Sequence, residues 1–307
     1  RQRLTEPRDD MLLESRPIDG QDRPDHGLLA RFAQEDGPFT RYARTVEVAD
    51  DELVETTTYR LTIPWFGWLF RWPVGRVLAR TGSSNSWWAP PDRLDPTQIL
   101  VVGLLAAASM SAAFVTGDSA DMLSELETRW YIYMLDGATV TPNSGEPGRY
   151  DDFGASDTAI GVAGAVVRAG IVLAIPAAVI ADRIGRRRVI VAVAWIGPLL
   201  SVLGAFAPSF AVLVATQAVA RPMGIALAFL VGVVASEEMP RNSRTYAVSI
   251  LAMAAGLGAG IAVIALSLAD LGAGGWRFVY LLAAIWCVVA LDLARRLPET
   301  RRFTAAH

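Results

Sequence analysis

The residues able to do chemistry in this chain are charges placed inside, or at the ends of, long apolar runs. Arg168 lies midway along one run, and Arg221 lies near the middle of another, in Gln217-Ala-Val-Ala-Arg-Pro-Met-Gly224. A guanidinium at the centre of a membrane helix costs about 2.5–3.5 kcal/mol on insertion scales, so it faces a bundle interior or a wet cavity. There it can meet an anionic group or assist proton transfer; the plainer use is a structural pair with Asp157, Asp270 or a backbone carbonyl. A second kind of chemistry sits in Asp182-Arg183-Ile184-Gly185-Arg186-Arg187-Arg188, a tight basic turn between two apolar runs. Charge pairs at helix ends can hold one conformational state and release it, because a few kcal/mol between states is enough. Gly185 permits the turn. Simple anchoring by positive charge is the alternative, and Arg187 and Arg188 are assigned mainly to it. Glu238 and Arg244, in Ser236-Glu-Glu-Met-Pro-Arg-Asn-Ser-Arg-Thr245, and Glu299, in Leu297-Pro-Glu-Thr-Arg-Arg302, repeat the acid-then-base pattern. As solvated surface charge, each such pair contributes under about 1 kcal/mol.

Other chemistries lack raw material. The two His, His26 and His307, are far apart, and Cys287 is the single Cys. Internal disulfides are thereby excluded, and Cys/His metal sites and a Ser-His-Asp triad are disfavoured. No cofactor and no enzymatic activity are expected. No Asp or Glu lies mid-span, and Asp292 is near a span end, so a group that gains and loses protons is sought elsewhere. Gly256-Leu-Gly-Ala-Gly260 is no nucleotide loop, since no strand precedes it. Gly256 and Gly260, four apart, are expected to let helices approach closely.

The elements that position these charges are membrane-length. Hydrophobic residues make up 52% of 307, and the mean hydropathy is +0.34. Six runs, at roughly 98–117, 157–181, 189–207, 209–235, 246–269 and 277–294, approach or exceed the ~20 residues a bilayer needs. One set of connections holds Arg183, Arg186, Arg187, Arg188, Arg241, Arg244, Arg295, Arg296, Arg301 and Arg302; the other holds Arg129, Arg149 and Arg277. The positive-inside rule makes the first set cytoplasmic, together with both termini. The 118–156 connection is then an outward, acidic loop, with an amphipathic stretch from Met122 to Leu135.

Ahead of the first run, residues 1–37 read as loose or disordered. Residues 38–94 read as a cytoplasmic β-hairpin, turning at Ala49-Asp-Asp-Glu52, followed by a Trp- and Arg-rich interfacial segment from Pro64 to Arg80. The alternative is that these Trp side chains cover the hairpin. Pro73 and Gly75 weaken a continuous helix there. Nucleic-acid binding is disfavoured, because the segment leads straight into a span and the net charge is −3. All 28 basic residues are Arg, which suggests a high-GC bacterium of the actinobacterial kind, and the first residue is not Met.

Ala178-Val-Ile-Ala-Asp-Arg-Ile-Gly-Arg-Arg187 resembles the G-x-L-A-D-R-x-G-R-R loop between helices two and three of the major facilitator superfamily, with Ala178 for the first Gly and Ile180 for Leu. Glu238 with Arg244 six on, Pro298-Glu299-Thr300, and Gly275-Trp276-Arg277 resemble further elements of that family, in order. The resemblance covers about 98–303. It implies an all-α membrane fold, the first six-helix half of a twelve-helix transporter with its six-helix domain over 95–303. It also implies gating roles for Asp182, Arg183, Gly185, Arg186, Glu238, Arg244, Arg277 and Glu299. Arg221 resembles the helix-four Arg of the family, though Gly224 follows by three residues rather than four. The span-five run has no Pro, so the antiporter signature is not supported.

The function expected is secondary active transport of a small solute, an organic anion or drug-like molecule, by alternating access in a bacterial inner membrane. The partners are that solute, the lipid bilayer, protons as a candidate coupling ion, and a missing second half or, less favoured, a second copy. The alternative is a membrane-anchored binding or signalling protein that works through its cytoplasmic N-terminal region. A membrane enzyme would need a polar cluster at the bilayer edge, and none is convincing.

Overall fold

In the computed structural model, the residues described are 6–15, 28–49, 52–79, 88–117, 157–265, 267–268 and 275–300. The elements in order are strands β1 (Leu13–Glu14), β2 (Leu28–Asp36), β3 (Phe39–Ala49) and β4 (Glu52–Leu61), then helices α1 (Gly67–Leu78), α2 (Pro96–Thr116), α3 (Asp157–Ala169) and α4 (Ala174–Ile184). They continue with α5 (Arg186–Gly204), α6 (Phe210–Glu238), α7 (Arg244–Ala265), α8 (Gly275–Leu282) and α9 (Ala284–Arg296). Two units share these elements. One comprises residues 1–103 with 239–246, and the other comprises 104–238 with 247–307.

The first unit contains an antiparallel sheet in the order β1-β2-β3-β4. The expected hairpin is β3 and β4, closing at Ala49↔Glu52. The loose segment expected over 1–37 does not hold for its described residues, because Leu13–Glu14 and Leu28–Asp36 are strands. Alternation explains why. Ala30 and Phe32 point inward and are buried, whereas Leu29 and Arg31 are exposed, a period of two hidden beneath a high charge count. Inward positions of β3 follow the same rule at Tyr42, Arg44 and Val46.

One of those inward residues is a charge. Arg44 is satisfied by Glu14 from β1, with Nε–Oε1 2.8 Å and Nη2–Oε2 2.5 Å, and both side chains are almost wholly buried. Tyr42 donates its hydroxyl to the same carboxylate at 2.6 Å, and the guanidinium lies 4.0 Å from the Phe32 ring centre. Burial pushes the Tyr42 phenol well above its ordinary value, and the hydrogen bond to Glu14 adds to the shift. Arg44 stays charged: desolvation works against it, but the hydrogen bond and charge of Glu14, together with Glu55 and Tyr42, more than offset the loss.

Helix α1 runs unbroken through Pro73, contrary to the expected weakening. Its inner face, Phe70, Val74 and Leu78, packs on Leu12, Phe39 and Tyr42 of the sheet, and that burial outweighs the hydrogen bond lost at Pro73. Trp65, Trp68 and Trp72 are exposed, so these three do not cover the hairpin.

The described residues include six helical stretches long and apolar enough to cross a membrane: Pro96–Thr116, Gly161–Ile184, Arg186–Gly204, Phe210–Glu238, Arg241–Ala265 and Gly275–Arg296. The second and sixth are interrupted, by a 3-10 turn at Gly170–Leu173 and by a turn at Ala283. The fold is thus the expected all-α membrane domain preceded by a small β-sheet. Gly256 and Gly260 do not do the packing expected of them: a Cβ at either would meet nothing within 4 Å. Gly258 between them does, since a Cβ there would run into the backbone of Met110, 2.7 Å from its Cα. On a helix, 256 and 260 share one face and 258 lies across from it.

Candidate functional site

Some of the residues expected to gate, Asp182, Gly185, Arg186 and Glu299, come together at the α4–α5 turn. α4 ends at Gly185, whose φ of 105° and ψ of 138° reverse the chain into α5 in a single residue. L side chains rarely adopt that conformation. The reversal sets Arg186 where its Nη2 reaches Asp182 Oδ1 at 3.1 Å, one turn back. The other terminal nitrogen of Arg186 pairs with Glu237, at the end of α6. Asp182 is 70% exposed and Glu237 only 8%, so the two carboxylates differ in weight. Glu237 was not singled out from the sequence; its neighbour Glu238 was, and Glu238 is buried. Helical period separates adjacent residues by about 100°, so only contacts in space tell which of the two reaches Arg186.

Arg187 also does more than anchor. Its backbone N–H donates to Glu299 at 3.1 Å, and its guanidinium donates to the carbonyls of Leu297 (2.6 Å) and Ala294 (2.7 Å). The Ala294 carbonyl is one that α9 leaves without a helical partner at its C-terminus, and Leu297 follows the helix directly. Glu299 is therefore a tie between the start of α5 and the end of α9. Arg183 and Arg188 are exposed. Arg244 donates to the Met239 carbonyl at 3.4 Å. Arg277 belongs to a different place: it donates to the carbonyl of Ala205 at 2.8 Å, joining the start of α8 to the far end of α5, and stacks on Trp276.

The two mid-span arginines part company. Arg221 is 7% exposed inside α6, with Gln217 equally buried one turn earlier. Arg168, at the end of α3, is exposed. The 3-10 turn follows it directly, and there Gly170 lies so close to α6 that a Cβ would meet the Ala218 carbonyl oxygen at 2.5 Å and Pro222 at 3.1 Å. A cavity of about 280 Å³ opens between α2, α6 and α7, lined by Ser109 and Thr116 among apolar residues that include Ile225, Gly232 and Leu251. Ile225 is one turn from Arg221. The polar groups in its wall are hydroxyls, from Ser109 and Thr116. Among the described residues, no group of His, Cys, Asp and Glu is arranged to hold a metal.

No curated protein matches the chain. Among solved structures it is similar to the inward-open conformation of the xylose transporter XylE from E. coli, with 19% identity and a TM-score of 0.47, over 66% of this chain and 48% of that one. The chain thus spans about half the length of that transporter. The model of the Major Facilitator Superfamily matches residues 131–306. That is more than half of the sequence, and it takes in the Gly185 reversal, its charge cluster, both mid-span arginines and five of the six spans: the chain is a multi-pass membrane protein that belongs to the Major Facilitator Superfamily.

Proposed function

We propose that this chain is one six-helix half of a secondary active transporter, and that it moves a small organic solute by alternating access. The observation that carries the reading is the cluster at the Gly185 reversal. Arg186 joins the ends of α4 and α6, and Arg187 joins α5 to the end of α9. Contacts of this kind, made at helix ends, hold a bundle in one state and break in another. The enzyme reading has no comparable support, since members of this family move solutes.

Arg221 and the cavity of Ser109 and Thr116 are the substrate candidates within this half. An anionic or drug-like solute suits one buried cation beside an apolar wall. Arg168, exposed on the described half, suits a face that meets a second half or a second copy. Exposed Gly256 and Gly260 suit the same use. Protons remain the coupling candidate, supplied by groups other than the mid-span residues seen here. Arg183, Arg186, Arg187, Arg188, Arg295 and Arg296 gather at one set of helix ends, which supports a cytoplasmic face there and both termini inside a bacterial inner membrane. The test is uptake in vesicles by the longest reading frame that contains this chain, with Arg186→Ala as the comparison. Flux in the parent and a shifted balance of inward- and outward-open states in the variant are expected; no flux of any organic anion or neutral solute tried would overturn the reading.

The folded sheet favours a second reading, in which the N-terminal unit binds a ligand and the helices anchor it. Ligand binding by that unit together with no solute flux would support it.

A further inference from the structure

The outer face of α1 has no partner within the described residues, and its composition is unusual for a surface. Trp68, Leu69 and Trp72 are 55–76% exposed. Their spacing places them along one stripe of the helix. Arg71 and Arg76 border that stripe, and Arg76 stacks on Trp72 at 4.9 Å. Tyr59, Arg71, Trp72, Gly75 and Arg76 line a shallow depression of about 590 Å³. The opposite face of the helix is fully engaged with the sheet, so the helix cannot rotate to bury its tryptophans without losing that core. Trp65 is held at φ 61°, a conformation bulky residues avoid.

The same unit ties this stripe to the first span. Pro64, three residues before α1, rests on Gly103 of α2, where a Cβ would sit 2.7 Å from the proline Cγ. Gly103 is seven residues into a helix that begins at Pro96, or about 10 Å along its axis. That contact lies within the length of the first span, so the chain enters α1 from alongside a membrane helix. Two further ties hold this unit together. Asp92 accepts from Asn242 and Ser243 at 3.0 Å each, and Tyr246 donates to the Trp88 carbonyl at 3.0 Å.

We propose that α1 is a lipid-binding helix that docks on anionic phospholipid headgroups on the side where the first span begins. The indole stripe enters the interface, and Arg71 and Arg76 take a headgroup phosphate in the depression beside Trp72. Indoles favour this layer because one edge is polar and the body is apolar, and a planar guanidinium offers paired donors to phosphate oxygens. A stripe tethered to a membrane span by so short a connection has lipid beside it without a further partner.

The experiment uses the full chain in vesicles of phosphatidylcholine, with and without phosphatidylglycerol, some carrying bromine on the upper acyl chain. Emission of the parent minus that of the double variant W68F/W72F isolates the stripe, and W68F alone repeats the comparison with one chromophore. The difference emission is expected to be quenched by the brominated lipid and spared by iodide. The double variant R71Q/R76Q is expected to red-shift it in phosphatidylglycerol vesicles and to leave it unchanged in phosphatidylcholine alone. Quenching by iodide with no effect of bromine would put the stripe in water and overturn the proposal. Protection from both quenchers would mean that protein covers it, a second copy or a partner, and would overturn it equally. No flux is measured, so failure of the transport reading leaves this outcome unaffected.

Discussion

Arg186 holds two carboxylates of unequal burial, and they should respond unequally to removal. Asp182 is largely in water, and an exposed i,i+4 pair contributes under about 1 kcal/mol. Glu237 is 8% exposed, and breaking a buried pair typically costs about 3–5 kcal/mol. Thermal unfolding in detergent should therefore show Asp182→Asn nearly neutral and Glu237→Gln clearly destabilising; the reverse order would place the weight on the wrong acid. For the mid-span arginines the expectation is functional. Arg221→Met keeps the bulk and removes the charge, so the full transporter should lose uptake of an anionic solute while the fold survives. Arg168→Ala should lower uptake. Intact uptake in both variants would remove the arginines from the substrate path.

Within elements, a substitution only two residues away can have the opposite outcome. Gly258→Ala drives a methyl into the Met110 backbone, whereas Gly256→Ala and Gly260→Ala meet open space. The first should lower the melting temperature of the detergent-solubilised chain and the other two should not. In the sheet, the buried Tyr42 phenol gives a pH test. Its folded value is raised above the ordinary 10. The folded state thus holds its proton longer than the unfolded one, and the stability this contributes is complete below about pH 10 and falls as pH rises further. Hydrogen exchange in β3 should accelerate above that pH in the parent and lose this component in Tyr42→Phe. The buried Glu14–Arg44 pair ties β1 to β3, and no sequence period announced it. Glu14 and Arg44 are 30 positions apart, and local patterns reach only a few residues.

For the whole molecule, the testable property is sidedness. Both chain ends and the Gly185 turn are expected on the cytoplasmic side, so cysteines introduced at Arg188 and Arg295 in a Cys287→Ser background should label only after the membrane of intact cells is made permeable. Labelling from outside would invert the topology and, with it, the side assigned to the gate.

Sequence alone determined the number and approximate limits of the spans, the Gly185 reversal, the β3–β4 hairpin and the family. Each is written in a local quantity: an apolar run matched to bilayer thickness, a two-residue alternation, or a short motif whose glycine tolerates a positive φ. Only the tertiary structure decided which of Glu237 and Glu238 meets Arg186, that Arg187 caps the end of α9, that Gly258 rather than Gly256 or Gly260 is packed, and that strands form within 1–37. It also decided that Arg221 is buried while Arg168 is exposed, and that α1 turns its tryptophans outward. In most of these the deciding partner is distant in sequence. Hydropathy can place a residue in a membrane helix, but the neighbour it faces is set by how the helices and strands pack around it.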